Sequence, residues 1–330
     1  MKKIILLNKD ISYKKEIKNK KKYNSSHKIK NSKLKQMMKQ YELYLFLLPA
    51  IIFVIIFLYA PMYGILVAFK DYKPVKGIFH SKWIGLKNFE IFFNSYSSKL
   101  IIKNTLILSL YKIIAGFPLP IILAILLHHL PSKRFKKVVQ MTTYAPYFIS
   151  TVVIIGMINI LLAPDTGIIN VILTSIGGES VFFMGKPEYF RHIYVWSDVW
   201  QTLGWSSVIY IAALSSVDPT YYEAAIVDGA TLFQRIRYID LPSIMPTAII
   251  LLILAVGQTL SIGFEKVYLM QNSSNINVSQ IISTYVYRIG ILKSNFELGT
   301  AIDLFNGIVN CILLVSVNKL SKKYTDASLF

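Results

Sequence analysis

Hydrophobic residues form six long runs along the chain. Each is long enough for a helix to cross a bilayer, whose hydrocarbon core requires about 20 apolar residues. The runs contain almost no charge and cover residues 45–69, 104–130, 141–163, 193–217, 241–264 and 298–318. The alternation of apolar and polar residues that is typical of barrel strands is absent. The pattern therefore predicts helices, which satisfy their own backbone hydrogen bonds, and an all-α integral membrane protein with six transmembrane helices in one domain, residues 41–330.

Composition and charge support a membrane protein. Only 16% of the 330 residues are charged, which is too few for an ordinary cytosolic enzyme. Fourteen of the 36 Lys and Arg residues lie in residues 1–40. We expect this basic tail to be disordered or to lie along anionic lipid head groups, and not to bind nucleic acid. The first apolar run starts too late and is too long for a cleaved signal peptide. A single cysteine, Cys311, excludes an internal disulfide.

The distribution of positive charge predicts that both termini are cytoplasmic, because cytoplasmic segments carry an excess of Lys and Arg. With the N-terminus inside, the inner segments hold 23 such residues and the outer segments hold twelve. Six of those twelve lie in residues 70–99, which disagrees locally with the rule. The tail and the predicted short loop 133–137 outweigh them, so we expect a multi-pass protein of the cell membrane.

The segment between the fourth and fifth runs, residues 218–245, predicts two short helices at a sharp angle on the cytoplasmic surface. Asp218 can cap a helix, and Pro219 suits its first turn, where no backbone donor is needed. Gly229 can end that helix in a left-handed conformation. A second amphipathic run follows, and Pro242 marks the entry into the fifth span. The pair is too polar for lipid and too apolar for water, which predicts a soluble partner with a groove.

This segment also carries a motif of 20 residues. It reads Glu223-Ala224-Ala225, three residues, Gly229, nine residues, then Ile239-x-Leu241-Pro242. The motif resembles the cytoplasmic loop of the membrane subunits of binding-protein-dependent ABC importers, and so implies the type I ABC importer permease fold. Further stretches resemble the permeases of this family that import oligosaccharides and polysaccharide fragments: residues 59–70, 83–89, 104–112, 117–120 and 284–288. Two places depart from the family pattern: His128-His129 replaces a more usual Asn-Glu, and Asp303 stands where a small residue is common.

The resemblance implies that this loop couples the chain to a separate ATPase subunit. Glu223 would anchor the loop in a cleft of the ATPase, and Gly229 would supply the bend. The residues assigned to this coupling are Glu223, Ala224, Ala225, Asp228, Gly229, Ile239, Leu241 and Pro242. The chain has no Walker A motif, Gly-x-x-x-x-Gly-Lys-Ser/Thr, so ATP and Mg would be bound by the partner. The chain is therefore expected to be a transport subunit and not an enzyme.

The resemblance also implies an assembly. Six spans would form half of a translocation path, so we expect a second permease subunit, two ATPase subunits and an extracytoplasmic solute-binding protein. A heterodimer of permeases is favoured, and a homodimer remains open. A permease for a non-sugar solute such as a peptide is the alternative, and an intramembrane hydrolase is the alternative from another class. The five histidines lack the spacing of metal ligands, so no metal site is expected.

Polar and aromatic residues inside the runs are candidates for a carbohydrate path. They are Gln201, Trp205, Tyr210, Gln258, Ser261, Asp303, Asn306 and Asn310. Asp303, Asn306 and Asn310 share one face of a helix because they are three and seven residues apart. Such residues contact sugars, but they also hold membrane helices together, and both interpretations remain open. Two charged residues also lie inside the runs: Lys112 in the second and Asp198 in the fourth. For Lys112, the favoured interpretation is that its side chain snorkels to the membrane interface or forms an interhelical ion pair.

Overall fold

The computed structural model describes residues 41–325 and 328–329, so the basic tail, residues 1–40, lies outside the described residues. The chain divides into two compact units, residues 1–63 and residues 64–330. The expectation of one domain over residues 41–330 stays a prediction.

The described part of the first unit is helical and apolar. Helix α1 (Tyr41–Val54) is followed by a π-helical turn, Ile55–Tyr59, and a 3-10 stretch covers Ala60–Phe69. Pro49 lies inside α1, and no residue of this helix is buried. Because nearly all of its side chains are apolar, α1 exposes a surface suited to lipid or to another subunit.

The regular secondary structure in the described part of the second unit is helical apart from one short hairpin, in which β1 (Lys70–Asp71) pairs antiparallel with β2 (Lys82–Trp83). Its α-helices, in chain order, are α2 (Gly77–His80), α3 (Lys87–Asn94), α4 (Tyr96–Gly116), α5 (Pro118–His129), α6 (Lys133–Tyr144), α7 (Thr151–Leu161), α8 (Ile168–Ser175), α9 (Pro187–Ser215), α10 (Pro219–Val227), α11 (Leu232–Arg235), α12 (Leu241–Gly257), α13 (Phe264–Met270), α14 (Ile276–Ser279), α15 (Ile282–Val286) and α16 (Phe296–Thr325). Short 3-10 segments cover Pro74–Lys76, Ala145–Phe148 and Thr259–Ser261, and π-helical segments cover Ile236–Asp240 and Tyr287–Leu292.

Four helices of the described chain are long and apolar enough to cross a membrane: Tyr41–Phe69, Tyr96–His129, Leu232–Gly257 and Phe296–Lys323. A bent pair, Lys133–Phe148 with Thr151–Leu161, makes a fifth if it counts as one span. The all-α membrane architecture is thereby confirmed, while the number of six stays a prediction.

The predicted fourth span lies in α9, which is 29 residues long. This helix is less apolar because it occupies the centre of the second unit, where α4, α5, α6 and α12 pack around it. Polar residues are tolerated on a helix that faces protein in place of lipid. The position of α9 therefore explains why α9 is not among the helices that length and apolar composition identify as spans.

Three sequence-based expectations about helix boundaries are wrong. Residues 133–137 are not a loop, because Ser132 caps α6 through the amide of Phe135 at 3.3 Å. The third run is not one straight span, because the helical segments Lys133–Phe148 and Thr151–Leu161 on either side of a break at residues 149–150 meet at 101°. The fifth run is not helical to its end, since α12 stops at Gly257.

A close helix contact fixes α9 against the end of α6. Gly204 is buried on α9, and a Cβ atom there would lie 2.2 Å from the carbonyl oxygen of Thr143 and 2.8 Å from the ring of Tyr144. Small residues permit such backbone approach between membrane helices. Glycine at this position is thus required by packing.

Replacing Gly204 with alanine is expected to destabilise the purified protein by about 1–3 kcal/mol, as is typical of overpacking. The measurement is the Tm in detergent. Gly307→Ala is the matched control, because a Cβ there would meet no atom within 4 Å. Equal Tm values for the two variants would contradict the close contact.

Candidate functional site: the cytoplasmic loop and the central cavity

The loop begins with the helix that the sequence predicts. Asp218 caps α10 by accepting a hydrogen bond from the amide of Thr220 at 2.9 Å. The backbone and side-chain hydrogen bonds of Thr220 hold the pKa of Asp218 below its ordinary value. At the other end Gly229 has φ +75°, and the amide of Ala230 donates to the carbonyl of Ala225 at 2.8 Å. This left-handed ending stops the helix at the predicted place.

The second half of the loop differs from the prediction, because it is not a separate short helix. Thr231 and Gln234 form a capping box at the start of α11. From there α11, the π-helical segment Ile236–Asp240 and α12 continue as one helix of 26 residues, Leu232–Gly257. Pro242 lacks an amide donor, and the wider π-helical turn before it accommodates the missing hydrogen bond. The loop is therefore attached to the fifth span without a break.

The motif residues lie at the surface of this loop. Glu223, Ala224, Asp228, Gly229 and Pro242 are exposed, while Ala225, Ile239 and Leu241 are partly buried. Around them the loop exposes six large apolar side chains, which we call the loop surface: Tyr221, Ile226, Val227, Leu232, Phe233 and Tyr238. Val227 is 87% exposed and Phe233 is 72% exposed. An exposed apolar patch of this kind is typical of a protein–protein contact.

A cavity of about 460 Å³ lies between α4, α5, α9, α12 and the irregular segment after α12. Four predicted path residues line it: Trp205, Tyr210, Gln258 and Ser261. Trp205 stacks on Tyr147 with ring centroids 4.8 Å apart and planes 9° apart. The cavity thus combines aromatic faces with hydrogen-bonding groups in a volume within the usual range of ligand sites.

The other four predicted path residues do not line this cavity. Gln201 donates to the carbonyl of Ile149 at 3.2 Å. Asn310 donates to Ser261 Oγ at 2.8 Å, and Asn306 donates to the same oxygen at 3.4 Å. Asp303 is exposed. The contacts of these amides fit the helix-packing interpretation, and a role of the four residues in the substrate path stays a prediction.

Three charged side chains meet beside the cavity. Lys112 Nζ lies 3.0 Å from Asp198 Oδ2, which confirms an interhelical ion pair. Lys266 Nζ approaches Asp198 Oδ1 at 3.9 Å, and its side chain is only 5% exposed. Lys266 is not among the residues that the sequence indicates, because it lies just beyond the fifth run and 68 residues from its partner Asp198. With two lysines and one carboxylate, the cluster carries one net positive charge, and Lys266 Nζ has no hydrogen-bond partner.

Comparison with known proteins identifies the family. The model of the binding-protein-dependent transport system inner membrane component matches residues 116–315. The polygalacturonan/rhamnogalacturonan transport system permease protein YteP of Bacillus subtilis (strain 168) is 41% identical over 295 residues, covering 89% of this chain and 92% of that protein. Protein LplB of the same organism is 40% identical over 288 residues, covering 87% of this chain and 91% of LplB.

A solved structure agrees with these relatives. A chain from the crystal structure of a bacterial alginate ABC transporter, in complex with an alginate pentasaccharide-bound periplasmic protein, matches with a TM-score of 0.84 and 39% identity. The match covers 89% of this chain and 99% of the other. The chain belongs to the family of binding-protein-dependent transport system inner membrane components. It is a multi-pass permease with the type I ABC importer fold, and the resemblance drawn from the loop motif is confirmed.

The charged cluster predicts an order of stabilities. Asp198→Asn leaves the buried Lys266 without a counter-charge, and removal of one partner from a buried pair costs about 3–5 kcal/mol. Lys112→Met lowers the free energy of unfolding less, by at most about 1 kcal/mol. Lys112 is partly exposed, and Asp198 still has Lys266 as a positively charged neighbour. We expect Asp198→Asn to lower the Tm of the detergent-solubilised protein clearly more than Lys112→Met. The reverse order would mean that Lys266 does not depend on Asp198.

Proposed function

We propose that this permease forms half of the translocation path of an ATP-driven importer for acidic oligosaccharides or polysaccharide fragments. The observation that supports coupling to a separate ATPase is the exposed loop of residues 218–242. The side chain of its Glu223 is exposed and makes no hydrogen bond or ion pair to any other described residue, and its loop surface is apolar and uncovered. Such a surface has to be buried against another protein, and here that protein is a cytoplasmic ATPase subunit.

The mechanism follows from how the loop is attached. The ATPase cleft encloses α10, with Glu223 as its charged anchor, and the left-handed Gly229 sets the direction of the second half of the loop. Closure of two ATPase subunits on ATP then displaces the loop. Because the helix Leu232–Gly257 is continuous, the displacement passes directly into the fifth span and shifts the permease between inward-open and outward-open states.

The remaining partners follow from the path itself. In the family that this chain resembles, six spans form half of a path, so a second permease subunit supplies the other half, and we favour a related but different chain. An extracytoplasmic solute-binding protein delivers the substrate. We also propose that both termini lie in the cytoplasm, on the side of the loop that meets the ATPase.

The proposed substrate class rests on the cavity and on the relatives. Polygalacturonan, rhamnogalacturonan and alginate, which the names of relatives specify, are acidic polysaccharides. The cavity offers Trp205 and Gln258 for sugar rings and hydroxyl groups. The Lys112, Asp198 and Lys266 cluster adds a net positive charge, which attracts carboxylate groups.

The substrate class can be tested by uptake into liposomes that contain the full importer with its binding protein. We expect ATP-dependent uptake of labelled oligogalacturonate of three or four units and at least tenfold less uptake of a neutral cello-oligosaccharide of equal length. Equal uptake of the two sugars would contradict the proposed preference for acidic oligosaccharides. Uptake of a tetrapeptide and of neither sugar would overturn the carbohydrate assignment.

The loop can be tested at Gly229. A Cβ atom at this position would meet nothing within 4 Å, so only the positive φ opposes a side chain. Gly229→Val is expected to strain the turn by about 1 kcal/mol or more and to redirect α11. We expect transport per ATP hydrolysed, measured in liposomes, to fall. Insertion of the variant into the membrane should be unchanged.

Gly229→Asn is the matched control, because asparagine tolerates the left-handed conformation better than β-branched residues. We expect it to keep most of the coupling. Wild-type transport per ATP in Gly229→Val would show that this turn is not part of the coupling element.

A further inference from the structure

A buried carboxylate lies where the cytoplasmic loop meets the spans. Asp240 has no exposed surface and closes the π-helical segment Ile236–Asp240. Tyr222 donates its hydroxyl proton to Oδ1 at 2.6 Å, and His129 Nε2 lies 2.5 Å from Oδ2. Since an ionised carboxylate only accepts hydrogen bonds, Nε2 carries the proton of the His129 contact. Each oxygen of Asp240 therefore has one donor.

The three residues come from three different elements. Tyr222 lies in α10, the helix that carries the motif, whereas His129 ends α5 in the second span. Asp240 immediately precedes α12 in the fifth span. The ring of Tyr222 also packs near His128 and His129, with centroid distances of 5.6 and 6.3 Å. We call Tyr222, Asp240 and His129 the Asp240 network.

This network is the specific connection between α10 and the spans. Within residues 41–325 and 328–329, the Tyr222 hydroxyl makes the only side-chain hydrogen bond that leads from α10 to a transmembrane helix. The ends of the second, fourth and fifth spans are held together beside it by an apolar cluster that includes Ile125, Leu214 and Ile244. The loop is thus tied by directed hydrogen bonds to a packed junction of three spans.

The chemistry makes this connection sensitive to distance. A buried carboxylate is costly unless its oxygens accept hydrogen bonds, so separation of either donor from Asp240 is strongly disfavoured. Burial, and then the hydrogen bond to Asp240 and its charge, raise the pKa of Tyr222 above its ordinary value. The phenol consequently remains protonated and available as a donor. Apolar contacts alone tolerate sliding, but charge-assisted hydrogen bonds do not.

We propose that Tyr222, Asp240 and His129 act as positioning residues that hold α10 to the second and fifth spans and transmit its displacement to both spans together. The inference rests on the proposed function, in which α10 docks on an ATPase. It adds a second route for the movement besides the continuous helix Leu232–Gly257, and it is the route that reaches the second span.

The deciding variant is Tyr222→Phe, which removes one oxygen atom and keeps the ring. The complete importer is reconstituted in liposomes, and ATP hydrolysis, uptake of labelled oligogalacturonate and Tm are measured. We expect subunit assembly to be retained and Tm to fall modestly, because Oδ1 of Asp240 loses its donor. ATP hydrolysis should stay within about twofold, and transport per ATP should fall fivefold or more. In Asp240→Asn, the new amide NH2 group would face one of the two donors, Tyr222 or His129. We expect this variant to lower transport per ATP as well.

Tyr111→Phe is the matched control. The Tyr111 hydroxyl also contacts a histidine, with Nδ1 of His192 at 2.9 Å, but this pair lies on α4 and α9, away from the loop. We expect wild-type transport per ATP in this variant. His129→Gln, which retains a donor, should keep more of the coupling than His129→Leu. The double variant Tyr222→Phe/Asp240→Asn should be no worse than the more affected single variant, because Tyr222 acts through Asp240.

Two results would overturn the proposal. Wild-type transport per ATP in Tyr222→Phe would show that the hydroxyl does not transmit movement, and this result would leave the proposed importer function intact if Gly229→Val still uncouples. A joint loss of assembly, Tm and ATP hydrolysis in Tyr222→Phe would show a structural role only. Failure of the wild-type complex to bind an ATPase through the loop would instead contradict the proposed function itself.

Discussion

In a bilayer, a polar or charged side chain has to find its partners inside the protein, because lipid offers none. This constraint governs the polar contacts of the second unit. Asp198 on α9 pairs with Lys112 of the second span at 3.0 Å. Asn310 on α16 bonds to Ser261 at 2.8 Å. Asp240 takes one donor on each oxygen. Each contact joins elements far apart in sequence, so the same bonds that satisfy polar groups also fix which helices are neighbours.

The constraint also decides where a helix can be interrupted. The fifth span stops at Gly257, and the segment Thr259–Ser261 that follows leaves backbone groups without helical partners. Ser109 donates to the freed carbonyl of Thr259, and Asn310 accepts from the amide of Leu260 at 3.0 Å. The interruption lines the cavity, and irregular backbone is tolerated in membrane proteins where it lines a cavity. Neighbouring helices thus supply hydrogen bonds to the backbone groups that the interruption frees.

The sequence predicts those features that depend on local chemistry. Long apolar runs reveal helices of a membrane protein, and Asp218 and Gly229 mark both ends of α10, because capping and left-handed turns involve only a few adjacent residues. Features that depend on distant residues were not predictable. Pro242 indicated a helix boundary, but the π-helical segment before it lets the helix continue. Lys266 could not be assigned to Asp198 without knowing how α13 approaches α9.

The central cavity and the cytoplasmic loop are connected by the helices that they share. The second span carries Lys112 near the cavity and His129 at its other end. The fifth span begins after Asp240 and ends at the interruption that precedes Lys266. Asp198 lies on α9 between them. Because Lys112 and Asp198 lie on different helices, a displacement of the second span relative to α9 changes the separation of their charges and so the electrostatic potential in the cavity. Under the proposed function, a movement imposed at the loop would therefore also change the electrostatic environment of a bound substrate.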